Sequence, residues 1–260
     1  MRKVFIFTFI FLFVLYLLSS YVFINDFNIN SYNIADNNES RKDLKIVHFT
    51  DTLINTHFTI DDLNILKDNI NELEPDIVFF TGDLIDDMYN VKSDEEEKII
   101  NILKEIVSNT YKFAIYGDND LENKNYEKIM KESDFILLDN QSYNFFYKDK
   151  DPIIITGLTN KSHIDKIIVD NKESIHFTLM HKPDVFKDID YKTTAFSGHS
   201  LGGYVNLPFI GGIFKNDGAK TYNGNYFKED NKTLYVSNGL GTENIHFRFN
   251  NTPSINIYYF

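Results

Sequence analysis

The chain has 260 residues, formal net charge −12 and no cysteine. That length suits one large α/β domain with a full core, or two small ones. The missing cysteines exclude disulfides, zinc–cysteine sites and thiol catalysis, and the acidic balance argues against nucleic acid as a partner.

Met1-Arg2-Lys3 precedes Val4 to Ile24, a run without a single charge. As a helix it would be about 30 Å long, the thickness of a hydrocarbon core. A cleaved signal peptide would have a shorter apolar region and a small-residue cleavage site. Length favours an uncleaved signal anchor over residues 1–24, a single-pass transmembrane helix. Arg2 and Lys3 would stay cytoplasmic and the rest would lie outside, at the cell membrane. Residues 25–43 are polar and asparagine-rich and read as a linker.

From Leu44 onward apolar runs alternate with amphipathic ones. Strands are expected at Lys45–Thr50, Asp76–Phe80 and Lys112–Tyr116. Helices are expected at Ile60–Leu73, Asp94–Val107 and Asn125–Glu132. Shorter strands follow at Phe135–Leu138, Tyr143–Tyr147, Ile153–Thr156 and Ile175–Met180, with a helix at Ile164–Val169. Residues 193–260 read as all-β with Gly-rich turns. This alternation predicts a parallel-containing sheet with helices outside, and functional residues just past the carboxyl ends of its strands.

Five strand ends carry metal-capable side chains: Asp51, Asp83, Asp118 with Asp120, His181 and His199. Singly, each has a plainer explanation as a helix cap or turn former. Carboxylates and two histidines at successive strand ends together suit a divalent ion. His57, His163, His176 and His246 fit no ligand spacing. His57 could replace a ligand only by swinging in from six residues beyond Asp51.

The run Gly198-His199-Ser200-Leu201-Gly202-Gly203 continues into Asn206-Leu207-Pro208-Phe209-Ile210-Gly211-Gly212. Tyr222-Asn223-Gly224-Asn225-Tyr226, Leu234 to Thr242 and Arg248-Phe249-Asn250 follow. This order resembles the calcineurin-like metallophosphoesterases, in particular their membrane-associated bacterial branch, over residues 44–260. The resemblance implies a four-layer α/β/β/α sandwich preceded by the transmembrane helix, with two metals bridged by Asp83. The family's Asp-x-His is here Asp51-Thr52-Leu53. Its Gly-Asn-His-Asp is Gly117-Asp118-Asn119-Asp120, and its Gly-His-x-His is Gly198-His199-Ser200-Leu201.

Leu53 and Leu201 therefore stand where both lost histidines would serve one metal. The other metal keeps Asp83, His181 and His199 and gains Asp118. Asp51 belongs to the ligand set that the resemblance implies, and Asn119 replaces the family's catalytic histidine. The expectation is one divalent ion per chain (Mn, Fe or Zn) in a membrane-anchored phosphoesterase of reduced activity. Its partner would be a phosphate-ester small molecule or an envelope component. The alternative is a pseudoenzyme that binds a metal or phosphate ligand without turnover. A purely structural envelope protein is the third reading.

Overall fold

The computed structural model describes residues 2–21, 27–34, 44–148, 151–159, 174–243 and 246–260. Helix α1 spans Arg2–Tyr21. Among its described side chains, Val4–Phe7, Phe9–Phe11, Phe13 and Val14 are exposed. Among the described residues no helix is long and apolar enough to cross a membrane. The expected spanning helix is therefore not found among them.

Inside the segment expected to be a linker, Asn28–Asn33 forms strand β1, paired parallel with β14, Ser254–Tyr259. The polar sequence hid it because an edge strand bonds through its backbone and needs few apolar side chains. Tyr32 packs between Tyr235 and Tyr258 at ring distances of 5.1 and 5.2 Å.

The next elements follow expectation within a few residues. They are β2 (Lys45–Phe49), α2 (Ile60–Glu72), β3 (Ile77–Phe80), α3 (Ser93–Lys104) and β4 (Tyr111–Ala114). Helix α2 starts where Thr59 and Asp62 form a capping box, and it turns Leu63, Leu66 and Ile70 inward. A short helix that the sequence did not suggest, α4 (Asp118–Glu122), comes before α5 (Tyr126–Glu132). Then come β5 (Phe135–Leu137), β6 (Gln141–Phe145), β7 (Ile153–Leu158), β8 (Ile175–Met180) and β9 (Thr193–Ser197). A small hairpin of β10 (Asn206–Leu207) and β11 (Gly211–Gly212) precedes β12 (Tyr226–Glu229) and β13 (Lys232–Val236). The helix expected at Ile164–Val169, with His163, lies outside the described residues.

Two six-stranded sheets result, ordered β1-β14-β2-β3-β4-β5 and β12-β13-β9-β8-β7-β6. Strands β2 to β5 are mutually parallel, as are β7, β8, β9 and β13. β3 is buried along its whole length, as a central strand covered on both faces must be. One apolar core fills the space between the first sheet and α2, α3 and α5, with Leu63, Val78, Ile99 and Ile129. A second, with Phe79, Phe113, Phe177 and Phe196, fills the space between the sheets. A third, around Met180, Phe186 and Leu234, lies on the far side of the second sheet, where Pro183–Asp188 forms a 3-10 helix. Helices outside a parallel sheet are thus present on the first sheet as expected.

Candidate metal centre

The carboxyl ends of β2, β3, β4, β8 and β9 meet at one rim, and the backbone there is unusual. Asp51, Leu53, Asp83, His199, Leu201 and Tyr204 all have positive φ, between 46° and 64°. This region is costly for residues other than glycine and needs surrounding bonds to hold it. Those bonds are present. The Asp51 N–H donates to the Gly82 carbonyl at 2.9 Å, and the Leu53 N–H donates to that of Asp83 at 3.1 Å. The buried Asp120 carboxylate accepts from the N–H groups of Asp83 (2.7 Å), Leu84 (3.0 Å) and Gly117 (2.8 Å).

Two glycines let these strand ends approach. A Cβ on Gly117 would fall 2.2 Å from Asp83 Oδ1 and 2.4 Å from the Asp83 backbone nitrogen. A Cβ on Gly198 would fall 2.2 Å from Asp51 Oδ2.

Asp83, His181 and His199, all buried, bring one donor atom each to within 4.8 Å of one another. His181 Nε2 is 3.0 Å from Asp83 Oδ2 and 3.2 Å from His199 Nδ1. The far nitrogens are anchored on backbone. His181 Nδ1 donates to the Thr81 carbonyl, and His199 Nε2 donates to that of Asp217, both at 2.8 Å. A carbonyl can only accept, so each outer nitrogen carries the proton and each inner nitrogen faces the cluster. Metal-ligating histidines are oriented in this way. The donor set therefore fits a divalent ion.

The other expected residues sit around this trio. Asp51 Oδ1 is 4.0 Å from His181 Nε2, and its two carboxylate oxygens accept from the His199 N–H at 3.1 and 3.0 Å. Asp118 Oδ2 is 3.8 Å from His199 Nδ1 but is drawn to Lys182 Nζ at 2.7 Å. Asn119 brings its backbone N–H to Asp83 Oδ1 at 2.9 Å. Leu53 and Leu201 are 0% and 1% exposed, and a Cβ on Gly239 would fall 2.8 Å from Leu201 Cδ2 and 2.9 Å from Asp51 Cβ. His57 does not swing in. It stacks on His246 with ring centroids 4.1 Å apart.

Electrostatics divides the histidines. Burial disfavours the charged form of His181, but the charge and hydrogen bond of Asp83, with Asp51 and Asp118, outweigh it and hold its pKa at about 10. Burial and then the charge on His181 push His199 down to about 4. Burial raises Asp51 to about 6, against the opposing pull of His181. For Asp83, burial is overcome by His181, and the pKa falls. A proton on His181 and a cation at the cluster would compete for the same place.

Sequence reasoning missed Asp120 as the clamp on Asp83. It also missed the carbonyls of Thr81 and Asp217. The run Gly117-Asp118-Asn119-Asp120 held the first signal; backbone carbonyls carry none.

A sequence model described as calcineurin-like phosphoesterase matches residues 44–239. The chain belongs to this family. It is 29% identical over 226 residues to the uncharacterized metallophosphoesterase YkuE of Bacillus subtilis (strain 168), covering 82% of this chain and 78% of that one. It is 25% identical over 171 residues to the uncharacterized metallophosphoesterase YkoQ of the same organism, covering 60% and 62%. A solved archaeal phosphodiesterase aligns at 15% identity with a TM-score of 0.38, covering 75% of this chain and 84% of that one. The family match and the two parallel-rich sheets together give a mixed α/β metallophosphoesterase fold. The family acts on phosphate esters and depends on divalent metals, for which Asp83, His181 and His199 are the candidate group.

Proposed function

We propose that the chain is a membrane-anchored phosphoesterase of reduced activity that holds one divalent ion, Mn²⁺, Fe²⁺ or Zn²⁺, on Asp83, His181 and His199. Asp51 and Asp118 are its flanking carboxylates. The observation that carries this reading is the anchoring of both imidazoles by backbone carbonyls, which leaves both inner nitrogens facing Asp83. When bound, such an ion supplies positive charge that polarises a phosphoryl group and acidifies water.

The residues around the trio set the limits. Leu53 and Leu201 are buried and offer no donor atom, so the two histidine ligands that the family pattern gives a second ion are missing. Asn119 can donate a hydrogen bond but cannot give up a proton. A general acid is worth roughly 10²–10⁴ in rate, and its loss matters least for aryl or phosphate leaving groups. Lys182 neutralises Asp118 and places a cation at the rim, where an anionic ester can meet it. Anchoring rests on α1, whose exposed side chains include Val4–Phe7, Phe9–Phe11, Phe13 and Val14, which need an apolar surrounding.

That same Lys182–Asp118 pair favours a second reading, a module that binds a phosphate ligand without turning it over. One experiment separates the two. The protein is loaded with Mn²⁺ and given a bis-aryl phosphodiester beside an Asp83→Ala control. Hydrolysis lost in the control supports the enzyme. Metal-dependent thermal stabilisation without hydrolysis supports the binding module, and two bound equivalents per chain would sink the one-ion assignment.

A further inference from the structure

The hairpin that follows the His199 loop is apolar and exposed. Between β10 and β11 its tip is Pro208-Phe209-Ile210, with Phe209 fully exposed and Ile210 73% exposed. Ile213 and Phe214 extend the same surface. Phe209 sits at φ 69°, a conformation that a bulky side chain rarely adopts. The root of the hairpin is fastened to the metal centre. The Phe214 N–H donates to the Gly203 carbonyl at 3.2 Å, and the Asn216 side chain donates to the His199 carbonyl at 2.9 Å. The Asp217 carbonyl holds the His199 ring.

The apolar N-terminal helix joins the fold at this same rim. Asn28, the first residue of β1, pairs with Ser254 of β14, two residues before Asn256, which pairs with His48. β14 runs antiparallel to β2, so Asn28 stands level with the carboxyl end of β2, where Asp51 follows. Six residues separate Tyr21 from Asn28. Fully extended, they reach no more than about 25 Å. An α1 held in a bilayer keeps Asn28, at the edge of this rim, within about that distance of the end of the helix.

We propose that the Pro208–Ile210 hairpin is an interfacial wedge that enters the bilayer holding α1 and turns the metal centre toward it. The substrate class is then a phosphate ester whose alcohol stays in the lipid. This substrate assignment rests on the phosphoesterase reading above; the docking rests only on the anchoring of α1 proposed there. The net charge of −12 gives no attraction to anionic lipid, so insertion depends on apolar burial and proceeds on zwitterionic bilayers.

The cysteine-free chain allows a direct test. Full-length Phe209→Cys and Val107→Cys carry an environment-sensitive fluorophore and are reconstituted in phosphatidylcholine vesicles with brominated acyl chains. Val107 is an exposed apolar control at the opposite rim, before β4. Quenching is expected at position 209 and not at 107. Equal quenching, no quenching, or failure of the chain to float with vesicles overturns the wedge. So does a blue shift without bromine quenching that grows with protein concentration, which means that a second copy covers the hairpin.

In a second measurement, Phe209→Asp with Ile210→Asp lowers hydrolysis of an alkyl-chain aryl phosphodiester held in vesicles by about tenfold or more. Hydrolysis of the soluble bis-aryl ester is unchanged. An equal effect on both esters overturns the substrate class. If the unmodified chain hydrolyses neither, the phosphoesterase reading fails and the quenching result still decides the docking.

Discussion

Gly117→Ala tests whether the meeting of β3 and β4 sets the metal centre. The added methyl would fall 2.2 Å from Asp83 Oδ1 and 2.4 Å from the Asp83 backbone nitrogen. Ordinary contact needs about 3.4 Å, so Asp83 must move by about 1 Å. A flexible side chain could yield, but this contact includes backbone. Asp83 is pinned by its N–H on Asp120 at 2.7 Å, by the Asn119 N–H at 2.9 Å and by His181 at 3.0 Å. Overpacking costs about 1–3 kcal/mol. Loss of one buried hydrogen bond to a charged group adds about 1.5–3 kcal/mol. The sum, roughly 2.5–6 kcal/mol, is less than the stability of most domains, so the variant folds. In a domain of this size it lowers Tm by about 5–24 °C.

The effect on metal is sharper. Oxygen and nitrogen ligands bind zinc at about 2.0–2.2 Å, so a 1 Å displacement takes a carboxylate out of reach. At an ion concentration of 100 Kd the unmodified protein gains about 2.7 kcal/mol from binding. Thermal melts with and without Mn²⁺ should show that gain in the unmodified protein and none in Gly117→Ala. Gly224→Ala, whose methyl would meet only the Phe227 ring at 3.3 Å, is the matched control. A Gly117→Ala protein with an unchanged Tm and an unchanged Mn²⁺ response would refute the reasoning.

Three further outcomes follow from the same geometry. His181→Ala leaves two converging donors, and metal analysis after gel filtration should find well under one equivalent; a full equivalent removes His181 from the ligand set. Lys182→Ala frees Asp118, 3.8 Å from His199 Nδ1, and because exposed pairs are worth at most about 1 kcal/mol, Mn²⁺ affinity should rise by no more than about fivefold. Weaker binding in that variant counts against Asp118 as a flanking carboxylate. Burial holds His48 neutral, with its pKa lowered from 6.5 to about 3. Between those values the unfolded chain binds a proton that the folded chain refuses, so stability falls as pH falls, by at most about 5 kcal/mol. Denaturant melts of His48→Phe should show a flatter acid limb, and parallel limbs would be against the assignment.

The sequence made the central strands legible because a strand buried on both faces must be continuously apolar, as Ile77–Phe80 is. It made α2 legible through Leu63, Leu66 and Ile70 and the Thr59–Asp62 cap. Asp83, His181 and His199 could be named because each closes an apolar run. β1 could not, since Asn28–Asn33 owes its place to backbone pairing with β14. Nor could the Lys182–Asp118 pair or the His57–His246 stack, which join elements distant in the chain. The imidazole orientations depend on backbone carbonyls, which every residue has and no sequence marks.

Leu201 decides whether the apolar side of the centre is packed or merely vacated. Its φ of 46° costs a leucine about 1–2 kcal/mol, which glycine would not incur. A rim position without a task would gain by that exchange. Yet the Leu201 side chain is 1% exposed, and its carbonyl accepts from Asn251 Nδ2 at 2.5 Å. Deleting a buried leucine side chain costs about 2–5 kcal/mol once the cavity is included. Packing therefore outweighs strain, and Leu201→Gly should lose about 1–3 kcal/mol in a denaturant melt. If Leu201→Gly instead gains stability, the leucine is not a filler, and the space beside Asp51 is open to another ligand.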